Sequence, residues 1–114
     1  MKTNANRHQE SLMHYYLPNP ATLRRLSGFY AVFSDPARIK ILTALSIAEL
    51  CVTDIARFCC MQQSTVSHQL QLLRQHNLVS TRRDGKVIYY SIASPYVART
   101  LDVGADYLSS PRLP

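Results

Sequence analysis

Apolar residues recur along this chain at two different spacings, and the change of spacing marks a change of element. Leu23, Leu26, Phe29, Tyr30 and Phe33 fall three and four apart, which predicts a first helix over 21–34. Asp35-Pro36 is a cap followed by proline at the first helical position. It opens a second helix through Leu45, with Ile39, Ile41, Leu42 and Leu45 facing inward. Thr53 caps a short third helix from Asp54 to about Cys59, with Ile55, Ala56 and Phe58 toward the core. A fourth helix runs from about Gln63 to His76. Two β-prone runs then flank Asp84-Gly85, a strong hairpin signal because both turn positions tolerate positive φ. Ser94-Pro95 repeats the cap-then-proline signal and starts a last helix to about Leu108. On it Val97, Leu101, Gly104 (or Ala105) and Leu108 form a seam near heptad spacing.

Residues 1–19 break this pattern. They are polar, rich in Asn, His and Gln, and read as a flexible N-terminal arm with at most a short helix around Gln9 to Tyr16, ended by Pro18 and Pro20. Residues 20–110 form the patterned domain and 111–114 a C-terminal tail. The fold class expected is mainly α with a β-hairpin wing: a winged helix-turn-helix. The core of the remaining helices leaves the seam on the last helix uncovered. That seam and the apolar first helix therefore read as a homodimer interface, where Gly104 and Ala105 permit close approach. The competing reading folds the last helix back on its own subunit.

The fourth helix is apolar on one flank through Val66, Leu70, Leu72 and Leu73. The other flank carries Gln63, Ser64, Thr65, Ser67, His68 and Gln69. Short uncharged hydrogen-bonding groups in that arrangement suit base edges in a major groove, with Arg74 meeting phosphate. An ordinary surface helix has the same amphipathicity, so the hairpin that follows decides. Its tip clusters Arg82, Arg83 and Lys86 around one acid, Asp84. Two helices followed by a basic hairpin place one element in the groove and one on the flanking backbone. The formal charge of +6 over 114 residues points the same way, toward a polyanion such as double-stranded DNA. A two-fold dimer would read a pseudo-palindromic operator, its two helices roughly 34 Å apart.

The apolar runs are too short to span a bilayer, and no secretory signal precedes them, so no membrane partner is expected. Three cysteines, an odd number, fit a reducing cytoplasm better than a disulfide framework. No Ser/His/Asp order, phosphate-binding glycine loop or paired carboxylate is present. Cys60 with His68 can be imagined as a nucleophile and base, but His68 is better placed toward DNA. An enzyme is not expected.

With these residues placed, the chain resembles the ArsR/SmtB family of small winged-helix repressors. The likeness runs from about Leu23 to Leu108. It is carried by 34–42 (SDPARIKIL), 49–56 (ELCVTDIA), 64–70 (STVSHQL) with Leu73-Arg74, Leu78-Val79, 82–86 (RRDGK) and Tyr89-Tyr90. The resemblance implies a homodimeric repressor that leaves its operator when an inducer, usually a metal ion, binds. It assigns DNA contacts to Gln63, Ser64, Thr65, Ser67, His68 and Gln69, and to Arg82, Arg83 and Lys86 of the wing.

The family's best-known metal site pairs the last helices of two subunits, and the matching positions here hold Ser94, Tyr96, Tyr107 and Ser110, none a usual zinc ligand. The second family site lies at the Glu-Leu-Cys-Val motif and borrows ligands from the arm. Cys51 and Asp54 are in place there, and His8, Glu10 and His14 lie in the arm, whereas Thr53 replaces a second cysteine. Cys51 and Asp54 with His8 or His14 would suit zinc or a similar divalent transition metal. The plainer readings are a buried Cys51 and solvated arm histidines, with no cofactor at all.

Cys59-Cys60, at the corner before the fourth helix, is open between packing and chemistry. Packing puts Cys59 in the core beneath Phe58 and a small Cys60 in the turn. Chemistry makes Cys60 a thiolate, activated by the nearby helix N-terminus and sensitive to oxidants. Gathering Cys51 with the pair around one thiophilic ion is opposed by geometry, since Cys51 and Cys59 would lie about 12 Å apart on a continuous helix. The readings left beside an induced repressor are a constitutive repressor without a sensor and a winged-helix protein-interaction module.

Overall fold

The computed structural model describes residues 3–110 in the order α1 (Arg7–Tyr16), α2 (Pro20–Val32), α3 (Pro36–Ile47), β1 (Leu50–Cys51), α4 (Val52–Cys59), α5 (Gln63–Gln75), β2 (Val79–Asp84), β3 (Val87–Ile92), α6 (Pro95–Leu108). This is the expected mainly α architecture with a β-hairpin wing. The expected tail, 111–114, lies outside the described residues. The chain divides into two units between Tyr30 and Ala31.

In the first unit the arm carries a ten-residue helix, longer than the short one expected. Its start is set by a capping box. The Asn6 side chain accepts from Gln9 N at 2.8 Å, and the Gln9 side chain accepts from Asn6 N at 2.9 Å. Asn19 Oδ1 likewise accepts from Thr22 N at 2.8 Å at the start of α2, with Pro20 leading the helix. No side chain among residues 3–30 is buried.

The second unit holds the core. Asp35 caps α3 by accepting from Ala37 N (2.8 Å) and Arg38 N (3.2 Å), as the sequence predicts. Ile41, Leu42 and Leu45 are buried, but Ile39 turns outward at 38% exposure, and α3 continues to Ile47. α4 starts at Val52, ahead of the expected Thr53 cap, because β1 pairs with β3 and delivers the chain directly into the helix at Cys51. An eight-residue helix buries only one narrow stripe, here Ile55, Ala56 and Cys59. Phe58 lies off that stripe and is 61% exposed, so the expectation that it packs in the core is corrected. Val66, Leu70 and Leu73 of α5 are fully buried. Each such side chain contributes roughly 1.5–3 kcal/mol of burial, which fixes the rotational setting of α5 and hence its outward face.

α5 ends one residue earlier than expected. Asn77 adopts φ +60 and Leu78 N donates to Leu73 O at 2.9 Å, a turn that closes the helix and feeds β2. The three strands are antiparallel in the order β1-β3-β2. The hairpin register runs from Val79↔Ile92 to Asp84↔Val87, so Asp84 belongs to the strand and the two-residue turn is Gly85-Lys86. Only Gly85 has positive φ (+62), the pattern of a turn with glycine first, and the expected Asp84-Gly85 turn is therefore displaced by one. Ser94 Oγ accepts from Tyr96 N at 3.2 Å and starts α6 where expected. α6 buries Val97 against its own subunit, while Val103, Tyr107 and Leu108 stay exposed.

Candidate nucleic-acid interface and sensor residues

Burial of Val66, Leu70 and Leu73 leaves Gln63, Ser64, Thr65, Ser67 and His68 exposed on α5, together with Arg74. Gln71 joins them, one helical turn on from Ser67 and His68, and was missed in the sequence although its i+4 and i+3 spacing marks it. Gln69 is set apart: it is half-buried, and its Oε1 is enclosed without a hydrogen-bond partner. Gln63 Nε2 donates to Thr53 Oγ1 at 3.5 Å, tying the first turns of α4 and α5 together.

The corner before α5 is built from Cys59 and Cys60. Cys60 takes the left-handed conformation (φ 55, ψ 48) that ends α4, and Met61 N donates back to Ala56 O at 3.0 Å. Lys40 of α3 reaches the same end of the helix, Nζ donating to Cys59 O at 3.2 Å, and the Cys59 thiol donates to Lys40 O at 3.9 Å. A cation on the last carbonyl of α4 is favourable toward the helix dipole and anchors the corner to α3. No sequence pattern marked Lys40 for this role.

Cys59 is 3% exposed. Burial pushes its thiol up from its ordinary pKa, opposed by the Lys40 ammonium and reinforced by Cys60, so Cys59 packs as a neutral side chain. Cys60 is exposed, and its thiol donates to Arg57 O at 3.9 Å. The two sulfurs thus bond to carbonyls on different helices. Phe58, expected above Cys59, instead lies beneath the Arg57 guanidinium at 4.6 Å.

At the start of α4 the structure brings Cys51 and Asp54 together, with Cys51 Sγ 3.5 Å from Asp54 Oδ2. Arg57 shares the carboxylate at 3.3 Å. A thiol and a carboxylate at this spacing are two of the four donors of a tetrahedral zinc site. Among the described residues, no group of three or more His, Cys, Asp or Glu is placed to hold an ion. His8 and His14 are exposed on α1. On α6, Ser94 serves as the cap, Tyr96 lies under Arg99 at 5.1 Å and Tyr107 is exposed.

In the wing, Arg83 and Lys86 are exposed and, among the described residues, make no ion pair. Arg82 differs. Its Nε and Nη2 both reach Glu49 Oε1 at 2.7 Å, and its guanidinium lies over Tyr89 at 4.6 Å. Glu49 and Tyr89 therefore belong to the site, and 33 residues of sequence separate Glu49 from its partner.

α3 and α6 enclose a mostly apolar cleft of about 410 Å³, lined by Phe33, Ile39, Leu101, Gly104, Ala105 and Leu108 among others. No helix among the described residues is long and apolar enough to cross a membrane.

Residues 35–81 match the family model described as bacterial regulatory protein, arsR family. A transcriptional repressor SmtB homolog of Synechocystis sp. is 39% identical over 85 residues, covering 75% of this chain and 64% of that protein's own length. The cadmium resistance transcriptional regulatory protein CadC of Listeria innocua is 33% identical over 103 residues, covering 90% of this chain and 82% of the relative. Among solved structures, the homodimeric winged helix-turn-helix DNA-binding domain from Mycobacterium bovis superposes with a TM-score of 0.72 at 27% identity. That match covers 100% of this chain and 94% of the other.

Proposed function

The chain belongs to the ArsR family of bacterial regulatory proteins, and from that premise we propose that it is a homodimeric, inducer-released transcriptional repressor acting on double-stranded DNA in the cytoplasm. The family is one of regulators rather than enzymes. The observation that carries the reading is the face of α5. Its buried stripe leaves Gln63, Ser64, Thr65, Ser67, His68 and Gln71 outward together, hydrogen-bonding groups suited to base edges. Arg74 and the wing's Arg83 and Lys86 supply the cations for phosphate.

Dimerisation places two such faces on one side of the assembly. The exposed Leu23, Leu26 and Tyr30 of α2 and the exposed Val103, Tyr107 and Leu108 of α6 support that pairing, because a subunit alone leaves both apolar surfaces in water.

For the inducer we propose a borderline or thiophilic divalent metal ion taken at Cys51 and Asp54. The 3.5 Å spacing of their donor atoms supports it. A bound cation would supply positive charge that holds the thiolate and carboxylate together. Asp54 would then exchange Arg57 for the ion, at the first turn of the helix that precedes α5. The redox alternative rests on exposed Cys60 alone, since Cys59 is buried and its thiol is held protonated.

A salt titration of duplex binding tests the central reading. Neutralising several phosphates makes log K fall steeply with log salt, and a flat dependence overturns DNA binding. Release of the duplex by zinc or cadmium from wild type but not from Cys51→Ser tests the inducer. Equal release from both proteins removes Cys51 from the site.

A further inference from the structure

Arg82 sits on β2, the outer strand of the wing, yet its side chain ends at Glu49, just ahead of β1 on the far side of the sheet. The register explains the reach. Arg82 is opposite Tyr89, and Tyr89 is opposite Cys51, so these side chains share one face and Glu49 continues it. The guanidinium crosses over the Tyr89 ring at 4.6 Å and meets one carboxylate oxygen with two N–H groups at 2.7 Å each.

We propose that Glu49 is an internal counter-anion that withholds Arg82 from DNA. On this reading Arg82 is a positioning strut for the wing, and the backbone contact falls to Arg83 and Lys86. The inference rests on the DNA-binding reading above and deepens it. A carboxylate and a phosphate compete for the same edge of a guanidinium. Here the carboxylate is already delivered by the fold, while the aromatic ring covers one face of the cation. Strand alternation sends Arg83 to the opposite face, where no acid pairs with it among the described residues. The strut also joins the wing to β1, which leads straight into α4, so the hairpin and the helical corner are held as one piece.

Two measurements on the full chain test this. In the free protein, the Arg82 Nε–H resonance should be protected from solvent exchange and lose that protection in Glu49→Ala. In duplex titrations, Arg83→Gln, which removes one phosphate contact from each subunit of the dimer, should reduce the log–log salt slope by about 1.8, while Arg82→Gln leaves it unchanged. Glu49→Ala should steepen the slope by about 1.8 as Arg82 of each subunit becomes free to reach phosphate. The proposal is overturned if Arg82→Gln costs as much slope as Arg83→Gln, or if the Nε–H resonance ignores Glu49→Ala. A flat wild-type titration overturns DNA binding itself and the withholding role with it, whereas the resonance still reports whether the strut exists.

Discussion

Substitution of Gly85 isolates the contribution of the wing. The residue is the first of the two in the hairpin turn, with φ +62, and a Cβ built there meets no atom within 4 Å. Packing therefore adds nothing, and the whole effect comes from forcing an L side chain into the left-handed region. That costs about 1–2 kcal/mol, more for a β-branched residue and less for asparagine. The cost corresponds to about a five- to thirty-fold shift in the population of the correctly closed hairpin. Because the turn carries Lys86 and follows Arg83 by two residues, up to two phosphate contacts in each subunit depend on it, worth about 3.6 of salt slope for the dimer. Fluorescence anisotropy of a labelled duplex, titrated with salt for Gly85, Gly85→Asn, Gly85→Ala and Gly85→Val, should rank affinity in that order. The slope should flatten along the same series. Equal binding by all four, or a valine variant no worse than asparagine, refutes the assignment of the turn and of the wing's role.

Asp35→Ala removes both cap hydrogen bonds at the start of α3 and should cost about 1–2 kcal/mol. For 114 residues that lowers Tm by about 4–8 °C in a melt at fixed protein concentration. Cys59 holds its proton more tightly when folded than when unfolded, so stability should be constant below the unfolded thiol's pKa and fall as pH rises above it. Cys59→Ala should remove that alkaline slope in denaturant titrations, and an unchanged slope assigns it to another group. A thiol reagent should label exposed Cys60 at once, Cys51 more slowly and Cys59 only on unfolding; rapid labelling of all three contradicts the burial described. Leu108→Glu changes a side chain that is 77% exposed in one subunit, so it should leave the subunit folded but shift sedimentation at micromolar concentration toward monomer. An unshifted dimer removes this end of α6 from the interface.

Where local chemistry determined the outcome, the sequence was a good guide. Asp35-Pro36 and Ser94-Pro95 each opened a helix at the expected residue, because cap and proline act within one turn. The outward face of α5 was legible for the same reason: its apolar residues repeat at helical spacing, and burying them leaves the rest outside. Gln71 obeys the same rule, one turn beyond Ser67 and His68, and extends the polar face past Gln69. Phe58 shows the limit of hydrophobicity as a guide, since in a short helix the smaller Cys59 occupies the buried stripe and the ring is left out. β1 was invisible because two residues have no period and exist as a strand only through pairing with β3. Glu49 and Lys40 were missed because their partners, Arg82 and the Cys59 carbonyl, lie 33 and 19 residues away, and such meetings are decided by tertiary packing. The wing turn slipped by one because strand pairing at Asp84↔Val87 outweighed the preference of Asp-Gly for the two central turn positions.

Selection of binding duplexes from a random pool by the purified full chain, with the mass of the resulting complex, addresses the central assignment most directly. The account predicts enrichment of an inverted repeat whose half-sites are centred about one helical turn, 10–10.5 base pairs, apart, bound by two copies of the chain. Recovery of no preferred sequence, or of a single half-site bound by one copy, would contradict it.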